Sequence, residues 1–169
     1  GLEMDIIGMK PLVECLTNYP NIKRLSVSLG PDCDGVYLLA KHMETDTSLE
    51  FLQCDILEDY DAVDTCYVDA CNKGIDALMK ALCHNGTLKT LDLSFESRDL
   101  DTTGTIEAKT IESIAAMIKA NHTLKNLGFY PLKLLYHQGI LIGRALATNT
   151  TLQRFEFSGS SKGGSERAD

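Results

Sequence analysis

Five segments of the chain carry apolar residues in one shared register, and that register admits few folds. Set a mark at Ile22, Leu49, Leu88, Leu124 and Leu152. Three positions beyond it stand Leu25, Leu52, Leu91, Leu127 and Phe155, and two further on stand Val27, Cys54, Leu93, Phe129 and Phe157. Apolar residues at every second position describe a half-buried strand. Six residues before the mark lie Leu16, Met43, Leu82, Ile118 and Leu146; ten before it lie Leu12, Leu39, Leu78, Ile114 and Ile142. A separation of four puts each pair on one face of a helix. Each unit therefore reads as helix, tight turn, short strand and loop, and parallel strands are expected to begin near residues 23, 50, 89, 125 and 153.

Three of the helix–strand junctions are also sequons for N-linked sugar, opening at Asn85, Asn121 and Asn149. Because the same junction carries the triplet each time, the turn explains it better than glycosylation does. Asn is expected there as a helix stop, since it tolerates the left-handed conformation. At the N-terminus, "IIGMKPLVECL" reads as a helix that shields the first strand, and Pro11 fits it only within the first turn.

The segments "LKTLDLSF" and "LEFLQCDI" resemble leucine-rich repeats of the helix-containing type found in ribonuclease inhibitor. The resemblance covers about residues 6–158 and implies an α/β solenoid with parallel strands on the concave side and helices outside. The expected organisation is a repeat domain over residues 1–158 and a flexible, polar tail over 159–169, where the chain becomes rich in Gly and Ser. The unit count, and "TLKNLGFYP" after a long loop, are similar to the C-terminal half of tropomodulin, which implies a filament-capping role with actin as a candidate partner. Sensor domains of NOD-like receptors are further relatives of the same repeat type.

The net charge of −8 argues against a general nucleic-acid surface, which needs clustered Lys and Arg. No apolar run approaches the ~20 residues that span a bilayer, and no basic segment followed by an apolar one opens the chain, so no signal peptide and no membrane partner are expected. Six cysteines form neither a CxxC pair nor a zinc-like group. They are expected to be reduced and mostly buried, in a cytoplasmic protein.

The intervals between marks are unequal, and the excess falls after the second and third strands, in "DILEDYDAVDTCYVDACNKG" and "FESRDLDTTGTIEAKT". The first of these holds Asp55, Glu58, Asp59, Asp61, Asp64 and Asp69. It lacks the glycine and the full alternation of a calcium loop, so a solvated acidic loop is the better reading and no metal is expected. No catalytic motif is present and no cofactor is expected. Arg98 stands in the second insertion, and Ran GTPase-activating proteins, which share the repeat type, use a loop arginine in phosphoryl transfer. Nothing around it matches that family, so an exposed arginine is expected.

Strand residues alternating with the buried ones must face outward. They make three rows: Arg24, Phe51, Thr90, Asn126, Arg154; then Ser26, Gln53, Asp92, Gly128, Glu156; then Ser28, Asp55, Ser94, Tyr130, Ser158. Large aromatics and arginines are the usual interface anchors. The expected partner-binding set is therefore Arg24, Phe51, Gln53, Asp55, Asp92, Asn126, Tyr130, Arg154 and Glu156. The reading is a non-catalytic protein-interaction module, with regulation of a small GTPase or a nuclease as the alternative. The last strand is expected to be an open edge bearing Phe155 and Phe157, available for self-association.

Overall fold

The computed structural model describes residues 2–4, 6–19, 21–29, 34–57, 65–96, 107–130 and 134–157. Strands and helices alternate throughout: β1 (Leu2–Met4), α1 (Ile6–Asn18), β2 (Arg24–Leu29), α2 (Asp34–Met43), β3 (Phe51–Leu57), α3 (Thr65–Leu82), β4 (Thr90–Glu96), α4 (Ala108–Ala120), β5 (Asn126–Tyr130), α5 (Tyr136–Thr148) and β6 (Arg154–Phe157). All pairings are parallel and the sheet order follows the chain, β1 to β6. The result is an α/β solenoid of the leucine-rich-repeat kind. Successive helices pack side by side as one layer over one face of the sheet.

The repeat register accounts for this. Leu25, Leu52, Leu91 and Leu127 pair across adjacent strands, as do Val27, Cys54, Leu93 and Phe129. All of these are buried against helix positions such as Leu39, Leu78, Ile114 and Ile142. Neighbouring units share this core, so each repeat depends on the next for its burial.

The start of each strand is fixed by a repeated backbone rung. The carbonyl of Lys23 accepts the N–H groups of Glu50 and Phe51 at 2.8 and 3.0 Å. Glu50, Lys89 and Lys125 do the same for the two N–H groups that open the following strand. One carbonyl thus sets the register of the next unit.

The junction asparagines do something different from what the sequence suggested. Asn121 and Asn149 are extended, at φ −80°, ψ 130° and φ −86°, ψ 127°, not left-handed. Their side chains carry the function instead. Asn121 Oδ1 accepts the N–H groups of Thr123 and Leu124 at 2.9 and 2.7 Å, closing the turn within its own repeat. Its Nδ2 donates to the carbonyls of Leu82 and Asn85 in the preceding repeat, at 2.7 and 3.2 Å. Asn85 repeats the pattern with Thr87, Leu88, Met43 and Asp46. Asn149 repeats it with Thr151, Leu152, Ile118 and Asn121. The sequons are rungs of an asparagine ladder along the solenoid. Asp46 holds the same place in the second unit, accepting from Ser48 and Leu49, but a carboxylate has no N–H to send backward. There His42 Nε2 lies 3.4 Å from Asp46 Oδ1 instead.

Four expectations need correction. The N-terminal edge is covered by a strand as well as a helix, because β1 pairs with β2 from Leu2↔Val27 to Met4↔Leu29. Pro11 lies inside α1 and not in its first turn, since the helix begins at Ile6; it forgoes one i→i−4 bond there. Much of the first insertion is no loop. Asp55–Leu57 continue β3, and α3 begins at Thr65. Cys71, Ile75, Leu78 and Leu82 are all buried and form the apolar stripe that extends this helix backward. Cys71 is also disulfide-bonded, whereas Cys15, Cys54 and Cys83 are free. The reduced state expected of all six does not hold at Cys71, because pairing follows Cα proximity in the fold and not spacing along the chain.

At the other end, Phe155 is half-buried and Phe157 is 50% exposed, their rings 5.6 Å apart. Residue 158 onward, including the tail expected at 159–169, lies outside the described residues, as do Glu58–Asp64 and Arg98.

Replacing Asn121 by Ala leaves the Leu82 carbonyl and two turn N–H groups without their partner, while the Asn85 carbonyl keeps the Thr123 hydroxyl, so unfolding free energy should fall by about 3 kcal/mol or more. Chemical denaturation checks this. The sugar-accepting nitrogens of Asn85 and Asn121 are buried and each donates two bonds. Purified oligosaccharyltransferase should therefore modify both sites in the denatured chain and neither in the folded one, as read by mass spectrometry.

Candidate functional site

The face of the sheet away from the helices gathers the outward rows as expected. Strand pairing puts Arg24, Phe51, Thr90, Asn126 and Arg154 in one line across β2 to β6. The second line runs Ser26, Gln53, Asp92, Gly128, Glu156, and the third Ser28, Asp55, Ser94, Tyr130. All nine sequence-derived candidates lie on this one surface; Ser158 falls outside the described residues.

Their side chains are organised by contacts along and across the strands. Arg24 is exposed and its guanidinium sits 3.8 Å from the centroid of the half-buried Phe51 ring. This cation–π stack contributes about 0.5–1 kcal/mol at an exposed site and holds both groups in place. Asn126 Nδ2 donates to Thr90 Oγ1 at 3.0 Å. Gln53 Nε2 donates to the Asp55 carboxylate at 3.3 Å.

The far end holds a tighter group. Arg154 Nε donates to Glu156 Oε1 at 2.6 Å, and the Tyr130 hydroxyl donates to Glu156 Oε2. The Tyr130 ring takes the space above Gly128. A Cβ at Gly128 would stand 2.7 Å from Tyr130 Cε2 and 2.4 Å from Asp92 Oδ1. This is why the expectation for Tyr130 fails in part. It lies on the predicted face but is only 6% exposed, so its ring braces Glu156 and offers little surface to a partner. The signal that was available is the glycine two residues earlier on the same face, the one row position without a side chain. Burial, then the hydrogen bond to the Glu156 carboxylate, push the Tyr130 phenol well above the usual tyrosine range.

Sequence reasoning missed a fourth row. Lys89 Nζ lies 2.5 Å from Glu50 Oε2, and Lys23 Nζ lies 4.0 Å from Glu50 Oε1, at the positions just before each strand. The hydrogen bond from Lys89 holds the Glu50 carboxyl below its ordinary range. These exposed pairs contribute little stability, but they alternate in charge along one rim of the face.

Among the described residues no three acidic, His or Cys side chains are placed to share a metal ion. No helix among them is long and apolar enough to cross a membrane. The open face therefore offers fixed charges, an arginine-capped ring and hydrogen-bonding groups.

With Glu156→Gln the carboxylate that disfavours phenolate is gone while burial remains. The Tyr130 titration should move down toward, but not fully to, the ordinary tyrosine range. Ultraviolet difference titration against wild type and Tyr130→Phe measures it; an unchanged high-pH step would mean that Glu156 does not contact the phenol.

No family model matches the chain, and no curated protein matches its sequence. Among solved structures the fold is similar to a chain described as leiomodin-1 actin-binding site 2 (ABS2), at a TM-score of 0.57 and 21% identity, over 87% of this chain and 79% of that one. A tropomodulin C-terminal domain from Caenorhabditis elegans aligns over 83% of this chain and 92% of that one, at a TM-score of 0.41 and 10% identity. The first likeness establishes a shared fold, and the second is too low to add to it.

Proposed function

We propose that the open sheet face is a protein-binding surface, and that the chain is a non-catalytic interaction module of the ribonuclease-inhibitor-like repeat type, organised as in tropomodulin over residues 1–158. The observation that supports this is the register. Parallel sheets commonly bury both faces; here helices cover one, while the other carries Arg24, Phe51, Gln53, Asp55, Asp92, Asn126, Arg154 and Glu156 in aligned rows. Asp55 and Asp92 occupy the middle of the face, with Arg24 toward one end and Arg154 toward the other. Such a surface fits a partner that presents cationic or hydrogen-donating groups centrally.

Actin is the first partner to test, because the similar leiomodin-1 chain is described as an actin-binding site. That likeness selects a candidate by fold; the charge pattern above supplies the mutations. No described geometry favours regulation of a GTPase or nuclease. A cytoplasmic setting belongs to the proposal. Free Cys15, Cys54 and Cys83 agree with it, while the disulfide at Cys71 does not.

Co-sedimentation with filamentous actin, together with elongation rates of pyrene-labelled actin, tests the proposal. The wild-type chain should bind or alter elongation. Arg24→Glu with Asp92→Lys, which leaves the apolar core intact, should weaken the effect at least about tenfold. A wild-type chain without effect removes actin. An effect that survives the double charge reversal removes the open face.

A further inference from the structure

The contacts that join each unit to the next reach an open end at the last one. Nine and thirteen residues before the repeat mark stand Ala40 and Val36, Met79 and Ile75, then Ala115 and Ile111, none more than 2% exposed. In α5 the same positions are Gly143 and Gly139, where an added Cβ would meet no other element within 4 Å. On the sheet, Phe129 is buried, whereas Phe157, its partner in register, is half exposed.

The backbone of β6 is open in the same direction. The Arg154 N–H is turned toward β5, where it donates to the Lys125 carbonyl at 2.9 Å. Backbone groups of successive residues point to opposite edges of a strand, so the N–H and carbonyl of Phe155 and the N–H of Phe157 point away from β5. Gln153 holds the place of Lys23, Glu50, Lys89 and Lys125, whose carbonyls each accept two N–H groups of the next strand. Among the described residues β6 is the last strand of the sheet, so no strand follows to use the Gln153 carbonyl.

The sequence of β6 selects what fits this edge. Residues 158–169 carry a single apolar side chain, at Ala168, and bring nothing to lie against two phenylalanines. A second copy added head to tail would offer β1, whose Leu2 stands in the row of Phe157; the two strands would share that one row. Antiparallel pairing of β6 with itself keeps core and open faces apart only when it is centred on a residue. Centred on Glu156, it sets two carboxylates opposite each other. Centred on Phe155, it sets Arg154 of each copy opposite Glu156 of the other, in the closely spaced pairs where side chains interact most. The same register lets the Phe155 backbones bond to each other and each Phe157 N–H meet a Gln153 carbonyl. Every outward backbone group named above then has a partner.

We propose that the chain forms a two-fold homodimer in which β6 pairs antiparallel with β6 of a second copy, centred on Phe155. The two α5 helices then lie side by side, and Gly139 and Gly143 leave room for a close approach. Such an interface is closed, since the same strand serves both copies. It does not depend on what binds the open face.

Sedimentation velocity across a concentration series tests the proposal. The wild-type chain should pass from monomer to dimer and no further. Arg154→Glu and Glu156→Arg each set like charges opposite across the axis, and each alone should weaken self-association at least about tenfold. An equal mixture of the two variants should recover the dimer, because every charge again faces its opposite. Should Glu156→Arg, which loses the contact with Tyr130, fail to fold, Phe157→Pro removes an outward N–H without touching the pairing to β5 and should also abolish the dimer. A wild-type chain that stays monomeric overturns the proposal, whether its own tail or another protein covers the edge. Growth beyond the dimer, or a dimer that Arg154→Glu leaves unchanged, overturns it as well.

Discussion

The side chain of one residue per repeat links the units. Each junction asparagine accepts two N–H groups from its own turn and donates to two carbonyls of the repeat before it. A solenoid has no long-range contacts to hold distant parts together, so its cohesion is that of each interface. Apolar burial supplies most of that cohesion without choosing a register. The asparagines supply direction and offset, since their donors meet carbonyls only when adjacent units are aligned. The rung at the head of each strand then carries the alignment into the sheet.

The ladder weakens toward the N-terminus. Asp46 retains the accepting half alone, and the first unit has Tyr19 at that place, 64% exposed, with only its backbone carbonyl accepting from Ile22. There β1 contributes a further parallel pairing to β2, and α1 packs on α2. The start of the solenoid is thus held by strand pairing and helix packing where the side-chain ladder is absent.

Periodicity made the strands legible because a buried leucine at every second position has no other inexpensive explanation. The observed starts at Arg24, Phe51, Thr90, Asn126 and Arg154 each fall one residue after the expected position. What periodicity could not reveal was anything resting on one non-repeating residue. β1 is three residues long, too short to show alternation. The early turns of α3 place a cysteine, Cys71, at an apolar position that the repeat template does not include. The open face was legible as a set of positions, since alternation alone assigns them. The burial of Tyr130 was not, because it depends on the absence of a side chain at Gly128 and on a carboxylate from the next strand.

Asn85 is followed by Gly86, the neighbour that least hinders attack of a backbone nitrogen on an asparagine side chain. That reaction releases ammonia through a cyclic imide and leaves an acid. It requires the side-chain carbonyl carbon to swing toward the Gly86 nitrogen. Here Oδ1 is held by Thr87 and Leu88, and Nδ2 by Met43 and Asp46. Spontaneous ageing at this bond therefore waits on local opening. Once it has occurred, the new carboxylate has no proton to return to Met43 and Asp46, so a molecule that has opened long enough to react closes less well than before. The junction keeps a chemical record of how often it has been open.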